Sequence, residues 1–531
     1  MTHRSVMIIF AGLLLAMFLS SLDQTIVSTA MPTIAGDLGG ADHISWIITA
    51  YALAISIGMP VYGKLGDQFG RKGLFITALS VFILGSILSG LSTTMGFLIF
   101  GRFVQGLGGA GLMILSQAIL ADIMSPLERA KYSGVMGAVF GVSAIAGPLL
   151  GGFLTEHLSW HWAFWINIPL GLFAIFIAVK TLHLPPVESS HKVDYWGMAT
   201  LIPAVTSLIL ITTWGGTQYE WNSPTIIGLI AVCAVSTAIF ILIERYAAEP
   251  IIPLSLFKSR TFTLAATIGL TIGAGTFAAM SYLPTYLQIV NGVSATESGL
   301  LMLPMLAGTF TSSIGSGYII SKTGKYKIFP ILGMALAALG IYLFSTMTID
   351  TSQLVTSIYM IITGLGMGLC MQTLVLVVQN SVKAKDVGAA TATNNFFREI
   401  GISLGVSIFG SAFASRLADN LSSLGGGTTE GGLTPEAIGN LPNQIREVVI
   451  QGYVDSLMPA FVFLVPVVIL GFIATLFIPQ QELSKVSGAE RRKLEQENNE
   501  MDLHNTTPGR ENDTAAPEET KILISAKNMI N

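Results

Sequence analysis

Long apolar runs alternate with short polar turns along this chain, and its basic residues fall almost entirely in every second turn. The runs, at 6–31, 44–63, 73–92, 97–120, 132–155, 162–183, 196–213, 224–243, 262–287, 298–320, 328–347, 354–379, 387–414 and 456–478, are about 18–27 residues each. Each is long enough to cross roughly 30 Å of hydrocarbon as a helix. With the N-terminus placed inside, all but four of the 27 Lys and Arg fall in inward loops or the C-terminal tail. Only Arg416 and Arg446 lie outside; Arg102 and Arg398 lie within runs. Basic loops resist translocation, and one mistaken span would invert every later loop. The expectation is an all-α polytopic membrane protein of fourteen transmembrane helices with both termini cytoplasmic.

Composition agrees. Hydrophobic residues make up 52% and charged residues 11%, with mean hydropathy +0.67; a soluble domain carries about 25% charged residues. A net charge of −4 points away from a nucleic-acid partner. All seven Trp lie near span ends, as an interfacial belt does. Cys233 and Cys370 fall inside spans and read as packing residues, with no disulfide and no metal site. Residues 6–31 are too long for a cleavable signal core and are expected to stay as the first helix. The outer loops lack a usable glycosylation sequon, which favours a bacterial inner (cell) membrane.

Loop lengths divide the chain as 6 + 2 + 6. The expected units are a six-helix bundle at 1–190, two additional helices with connectors at 191–260, a second six-helix bundle at 261–480 containing a long outer loop at 415–455, and a disordered cytoplasmic tail at 481–531. An internal repeat supports two pseudo-symmetric bundles. GKLGDQFGRKG at 63–73 is echoed by GYIISKTGKYK at 317–327, aligning Gly63, Gly70 and Arg71 with Gly317, Gly324 and Lys325, and Asp67 with Ser321. GLGGAG from Gly106 is echoed by GLGMG from Gly364. Parallel repeats of this kind surround a midplane site.

Charges inside spans are costly and therefore candidates for function. Asp23 and Arg102 lie at matching depth, roughly 9–12 Å below the outer surface, with Gln24 and Gln105 at the same level. They could form a switchable pair or a static ion pair that fixes packing. Arg398 and Glu399 fall mid-span; Glu399 shares a face with Asn395, read as the lumen-lining face, and Arg398 with Asn394. Asp67, among Lys64, Arg71 and Lys72, could cap the start of the third run or, across the halves, the start of the thirteenth near Val387. Gly137, Gly141, Gly147, Pro148, Gly151 and Gly152 suggest a tight, bent seam between the halves. Met280, Met302, Phe277 and Met371 would suit a promiscuous apolar lining or ordinary core. The match of Gly106–Gly111 to the dinucleotide fingerprint has no preceding strand, and there is no GxxxxGK[ST] phosphate loop and no HExxH. An enzyme is not expected, nor a cofactor or an ATP site.

Four motifs together resemble the major facilitator superfamily, in its fourteen-spanner drug:proton antiporter branch: GKLGDQFGRK at 63–72, the Gly137–Gly152 stretch, LDQTIVSTAMP at 22–32 and GRFVQGLGGA at 101–110. The resemblance implies proton and substrate coupling at Asp23 and Arg102, and a gating role for Asp67. Glu399 stands where many relatives carry Gln, and the second hairpin lacks the acid, which implies asymmetric gating. The function expected is proton-driven export of lipophilic, cationic drugs by alternating access, with a dedicated exporter (lipid, siderophore, antibiotic or metabolite) or an uptake symporter as the alternative. The expected partners are the cargo, protons and the bilayer.

Overall fold

A computed structural model describes residues 3–39, 43–184, 192–216, 218–421, 438, 442–495 and 497. Hydrocarbon offers backbone groups no water, so a spanning chain satisfies them within helices; among the described residues there is no strand, only an isolated bridge between Gly215 and Tyr219. The first bundle comprises α1 (His3–Leu38), α2 (Ser45–Phe69), α3 (Arg71–Gly90), α4 (Met95–Ile123), α5 (Pro126–His157) and α6 (Trp162–Thr181). Next come α7 (Tyr195–Trp214) and α8 (Pro224–Tyr246). The second bundle comprises α9 (Arg260–Asn291), α10 (Leu303–Thr323), α11 (Ile328–Phe344), α12 (Gln353–Asn380), α13 (Val387–Leu421) and α14 (Gln444–Leu476).

Twelve of the described helices are long and apolar enough to cross a membrane, against the fourteen crossings the sequence predicts. The other two expected spans coincide with α10 and α11. The stretch Thr309–Gly317 makes α10 small and polar, and α11 is an apolar helix of 17 residues. Several helices outrun the apolar runs that predict them, notably α1, α5 and α13. The expected outer loop at 415–455 is helical to Leu421 and again from Asn443; residues 422–437 and 439–441 lie outside the described residues.

The two bundles repeat one packing scheme. α1 packs on α5 and α6, α4 on α2 and α3, and α3 on α6; correspondingly α9 packs on α13 and α14, α12 on α10 and α11, and α11 on α14. The glycine echo makes this possible. A Cβ on Gly108 would sit 2.6 Å from Phe82 Cα of α3, and one on Gly366 would sit 2.6 Å from Ala337 N of α11. Between the bundles α2 meets α13 and α5 meets α10, again as symmetry requires. α7 packs on α2, α13 and α8.

Two expectations are corrected. The span-5 glycines do not all face the other half. Gly137 and Gly141 lie against Ser313 and Phe310 of α10, whereas Gly147 and Gly151 lie against Thr25 and Ile26 of α1, and Gly152 meets nothing. A helical turn is 3.6 residues, so glycines ten or more apart need not share a face; α5, with Pro148 inside it, serves two neighbours. The tail is ordered at its start: a capping box between Ser487 and Glu490 opens a helix at 488–495, although disorder is expected from 481. Residues 498–531 lie outside the described residues.

Gly63 has no room for a side chain, since a Cβ there would lie against Ala392 and 2.7 Å from the Gly388 carbonyl oxygen. Gly63→Val is expected to cost about 1–3 kcal/mol through overpacking, lowering the apparent Tm in detergent. Gly73→Ala, whose Cβ meets nothing within 4 Å, should leave it within error.

Candidate functional site

Three groups of charged side chains are spaced along the bundle. The first is a cage in the first half. Arg102 and Gln105 stand one turn apart on α4, so they present a common face to α1. Arg102 Nη1 donates to Asp23 Oδ2 in an ion pair whose side chains are 1% and 0% exposed. Asp23 Oδ1 accepts from Gln105 Nε2 at 2.7 Å and from Asn167 Nδ2 of α6 at 3.0 Å. Gln105 also bonds Ser86 of α3 at 2.7 Å. The guanidinium lies 4.1 Å from the centre of the Tyr51 ring and donates through Nε to the Ile47 carbonyl at 3.2 Å. Five helices of the first half thus converge on one carboxylate, and a third, α6-borne donor satisfies it.

The second group lines a cavity of about 480 Å³ between the halves. Gln24, Tyr51 and Arg102 border it from the first half, and Gln372, Arg398 and Glu399 from the second. Among the described residues Glu399 is the only acid on its wall, and Arg398 Nη2 donates to it at 3.3 Å. The rest is mainly apolar, including Phe277, Met280 and Met371. Next to Arg398, α9 widens into a π-helical segment, Gly273–Phe277; a Cβ on Gly273 would lie 2.5 Å from the Arg398 carbonyl oxygen. Such segments recur at functional sites.

Several sequence expectations are corrected here. Asp23 and Gln105 do not border the cavity; both are buried behind Arg102 because they bond each other. Asn395 does not border it either; its Nδ2 donates to Gln117 Oε1 at 3.1 Å across the seam. Met302 is buried within the second half. Arg398 and Glu399, though about 100° apart on α13, both reach the cavity because their side chains are long enough to meet.

The third group closes the seam at the end that carries the two hairpins. Asp67 receives Gly388 N at 3.0 Å and Ala389 N at 2.8 Å, capping the start of α13 in the other half. Arg71 donates to Asp67 at 2.6 Å and to the Ala118 carbonyl at 2.6 Å, and pairs with Asp122 at the end of α4. The echoed hairpin works differently. Ser321 bonds only its own helix, through Tyr318 O, and the start of α5 is capped locally by Ser125 and Glu128. Gly70 and Gly324 both have positive φ, 87° and 68°, but the turns differ: ψ is 144° at Gly70, where α3 starts at once, and −1° at Gly324, a left-handed helix end. Lys64 pairs with Glu249, and Lys72 donates to Val179 O at 3.1 Å. Deeper in the seam, Arg129 bonds Gln379, whose Nε2 donates to Thr391 Oγ1 at 3.0 Å.

Sequence reasoning missed Ser86, Asn167, Gln117, Gln379, Asp122 and Arg129. Gln117 and Gln379 carry a usable signal, an amide inside an apolar run. Asp122 and Arg129 sit at helix ends, where a charge reads as solvated, and only the fold reveals their burial.

Residues 13–406 match the Major Facilitator Superfamily. The chain belongs to that family. Its members are transporters rather than enzymes, and the chain is accordingly a multi-pass membrane transporter. Among its relatives is an uncharacterized MFS-type transporter of Mycobacterium tuberculosis, 39% identical over 488 residues, covering 90% of this chain and 70% of the relative. Another is the multidrug transporter protein MdtP of Bacillus subtilis, 35% identical over 519 residues, covering 92% and 96%. A proton:xylose symporter, XylE, shares the fold with a TM-score of 0.60 at 12% identity, covering 93% of this chain and 100% of that one.

Removing Asp23 would leave Arg102 buried and uncompensated, a loss of about 3–5 kcal/mol. Asp23→Ala is expected to lower the apparent Tm much more than Asn167→Ala, which removes one of the three donors to Asp23 and a 3.4 Å bond to Ser86, about 1–3 kcal/mol. Differential scanning fluorimetry of the purified variants would rank them.

Proposed function

We propose that this protein exports lipophilic drugs in exchange for protons, through fourteen membrane crossings with the hairpins and both termini in the cytoplasm. The observation that carries the reading is the cavity between two equivalent bundles, apolar in the main, with one carboxylate on its wall and a second buried directly behind a guanidinium. The named relatives that are multidrug transporters support it. The confinement of Lys and Arg to alternate loops supports the orientation.

In this scheme Arg102 is the moving part between two demands. It borders the cavity on one side and holds Asp23 on the other. A proton reaches Asp23 when Arg102 turns toward the cavity; once Asp23 is neutral, the guanidinium is free to seek another partner. Cargo binding and proton binding then compete through one side chain. Glu399 gives a lipophilic cation its counter-charge once Arg398 is displaced. A membrane potential contributes about 2.3 kcal/mol per charge per 100 mV to each net charge moved.

A second reading follows from the same wall, which carries two guanidinium groups and one carboxylate. A dedicated exporter of an acidic metabolite would use Arg102 and Arg398 as its anchors.

Dye efflux from everted vesicles tests these readings. Efflux is expected to collapse with a protonophore, and Asp23→Asn is expected to abolish it. Protonophore-insensitive efflux would remove proton coupling. Glu399→Gln is expected to cut export of cationic dyes at least tenfold while sparing neutral ones; unchanged cation export, with loss of anionic dye export in Arg398→Gln, would favour the acidic cargo.

A further inference from the structure

Residues 479–495 leave α14 in the second half and cross the hairpin-end seam to the first. They are anchored to the second half by backbone contacts. Tyr326 Oη donates to Pro479 O at 2.9 Å, Asn380 Nδ2 donates to Glu482 O at 3.1 Å, and Ser484 N donates to Asn380 Oδ1 at 3.2 Å. Leu483 is buried against the second-half core. The segment then reaches the first half at the end of α4. Gly488 passes so close that a Cβ would lie 2.6 Å from the Ala121 carbonyl oxygen. Arg492 pairs with Asp122 at 2.6 Å, and Arg491 Nη2 reaches back to Val382 O of the second half at 3.3 Å.

Asp122 Oδ1 also receives Arg71, which holds Asp67, which caps α13. The contacts therefore close a loop: second half, Asp67, Arg71, Asp122, Arg492, and back to the second half through the strap. Separating the halves at this end would have to break the α13 cap and pull Arg492 from a carboxylate that is itself 3% exposed. We propose that residues 479–495 are a strap that holds the hairpin end shut, so that release of the strap shifts the protein toward the conformation open at that end. The segment acts by differential contact, since its ion pair with Asp122 and its close packing on Ala121 exist only while the halves are together.

The inference rests on the alternating-access reading, and the experiment separates the two. Spin labels at Gly73 and Lys325, exposed on the hairpin ends of opposite halves, report the seam in the full-length protein in nanodiscs, with Cys233 and Cys370 replaced by Ala. Double electron–electron resonance is recorded for Arg492→Glu, for Asn380→Ala, which touches only the strap's anchor, and for Asp67→Asn. The expected result is at least a twofold rise in the long-distance population in the strap variants and in Asp67→Asn, and a rise in either strap variant supports the strap. Wild-type distances in both strap variants, with a rise in Asp67→Asn, would overturn the strap and leave alternating access standing. Wild-type distances in all three would overturn both.

Discussion

A charge inside hydrocarbon must be matched where it stands, and this chain places few charges there and matches them locally. Asp23 is the clearest case. Its two oxygens take three donors from α4 and α6, and the principal donor, Arg102, is itself covered by the Tyr51 ring. The cage ties α1, α2, α3, α4 and α6 together around one buried carboxylate. Buried pairs of this kind contribute little net stability but are costly to break.

The seam obeys a different economy. Among the described residues its hydrogen bonds cluster toward the hairpin end and bridge helices of opposite halves: Asp67 to α13, Gln117 to Asn395, Arg129 to Gln379. Small residues let the backbones meet. A Cβ on Gly63 would strike the start of α13, and one on Gly317 would strike the Ala130 carbonyl near the start of α5. The repeat thus preserves the close approach in both copies and the acid in only one. Where Asp67 caps α13 from outside, α5 carries its own cap in Ser125 and Glu128. One half of the pseudo-symmetric pair therefore depends on its neighbour for a helix cap, and the other does not.

The helical ladder was legible from sequence because length, apolarity and loop charge are each written locally. So was the identity of the charged residues in the spans. Their partners were less so, because partnership is decided by rotation about helix axes. Gln105 and Asn395 looked like lining residues, yet one turns to Asp23 and the other to Gln117. Asn167 falls inside the expected run at 162–183, and the direction an amide takes there is set by rotation about the helix axis, which the sequence does not state. Four of the span-5 glycines pack closely on two neighbours rather than along one seam between the halves, and Gly152 packs on neither. The tail's order escaped notice because its composition is polar, while its anchor, Asp122, lies more than 350 residues away in the chain.

The two additional helices have a consequence for motion. α7 touches both bundles: Thr212 and Ser403 share a hydrogen bond at 2.6 Å toward α13, and Trp214 meets Trp46 of the first half edge-on at 5.6 Å. The neighbouring turn adds Trp221 to Ser411 at 3.1 Å. A bundle pair alone is free to pivot about any line lying in its interface. With α7 bonded to both sides along one flank, the α2–α13 contact is bridged by a third helix, and in the proposed cycle any relative motion of the halves has to break these bonds or carry α7 along.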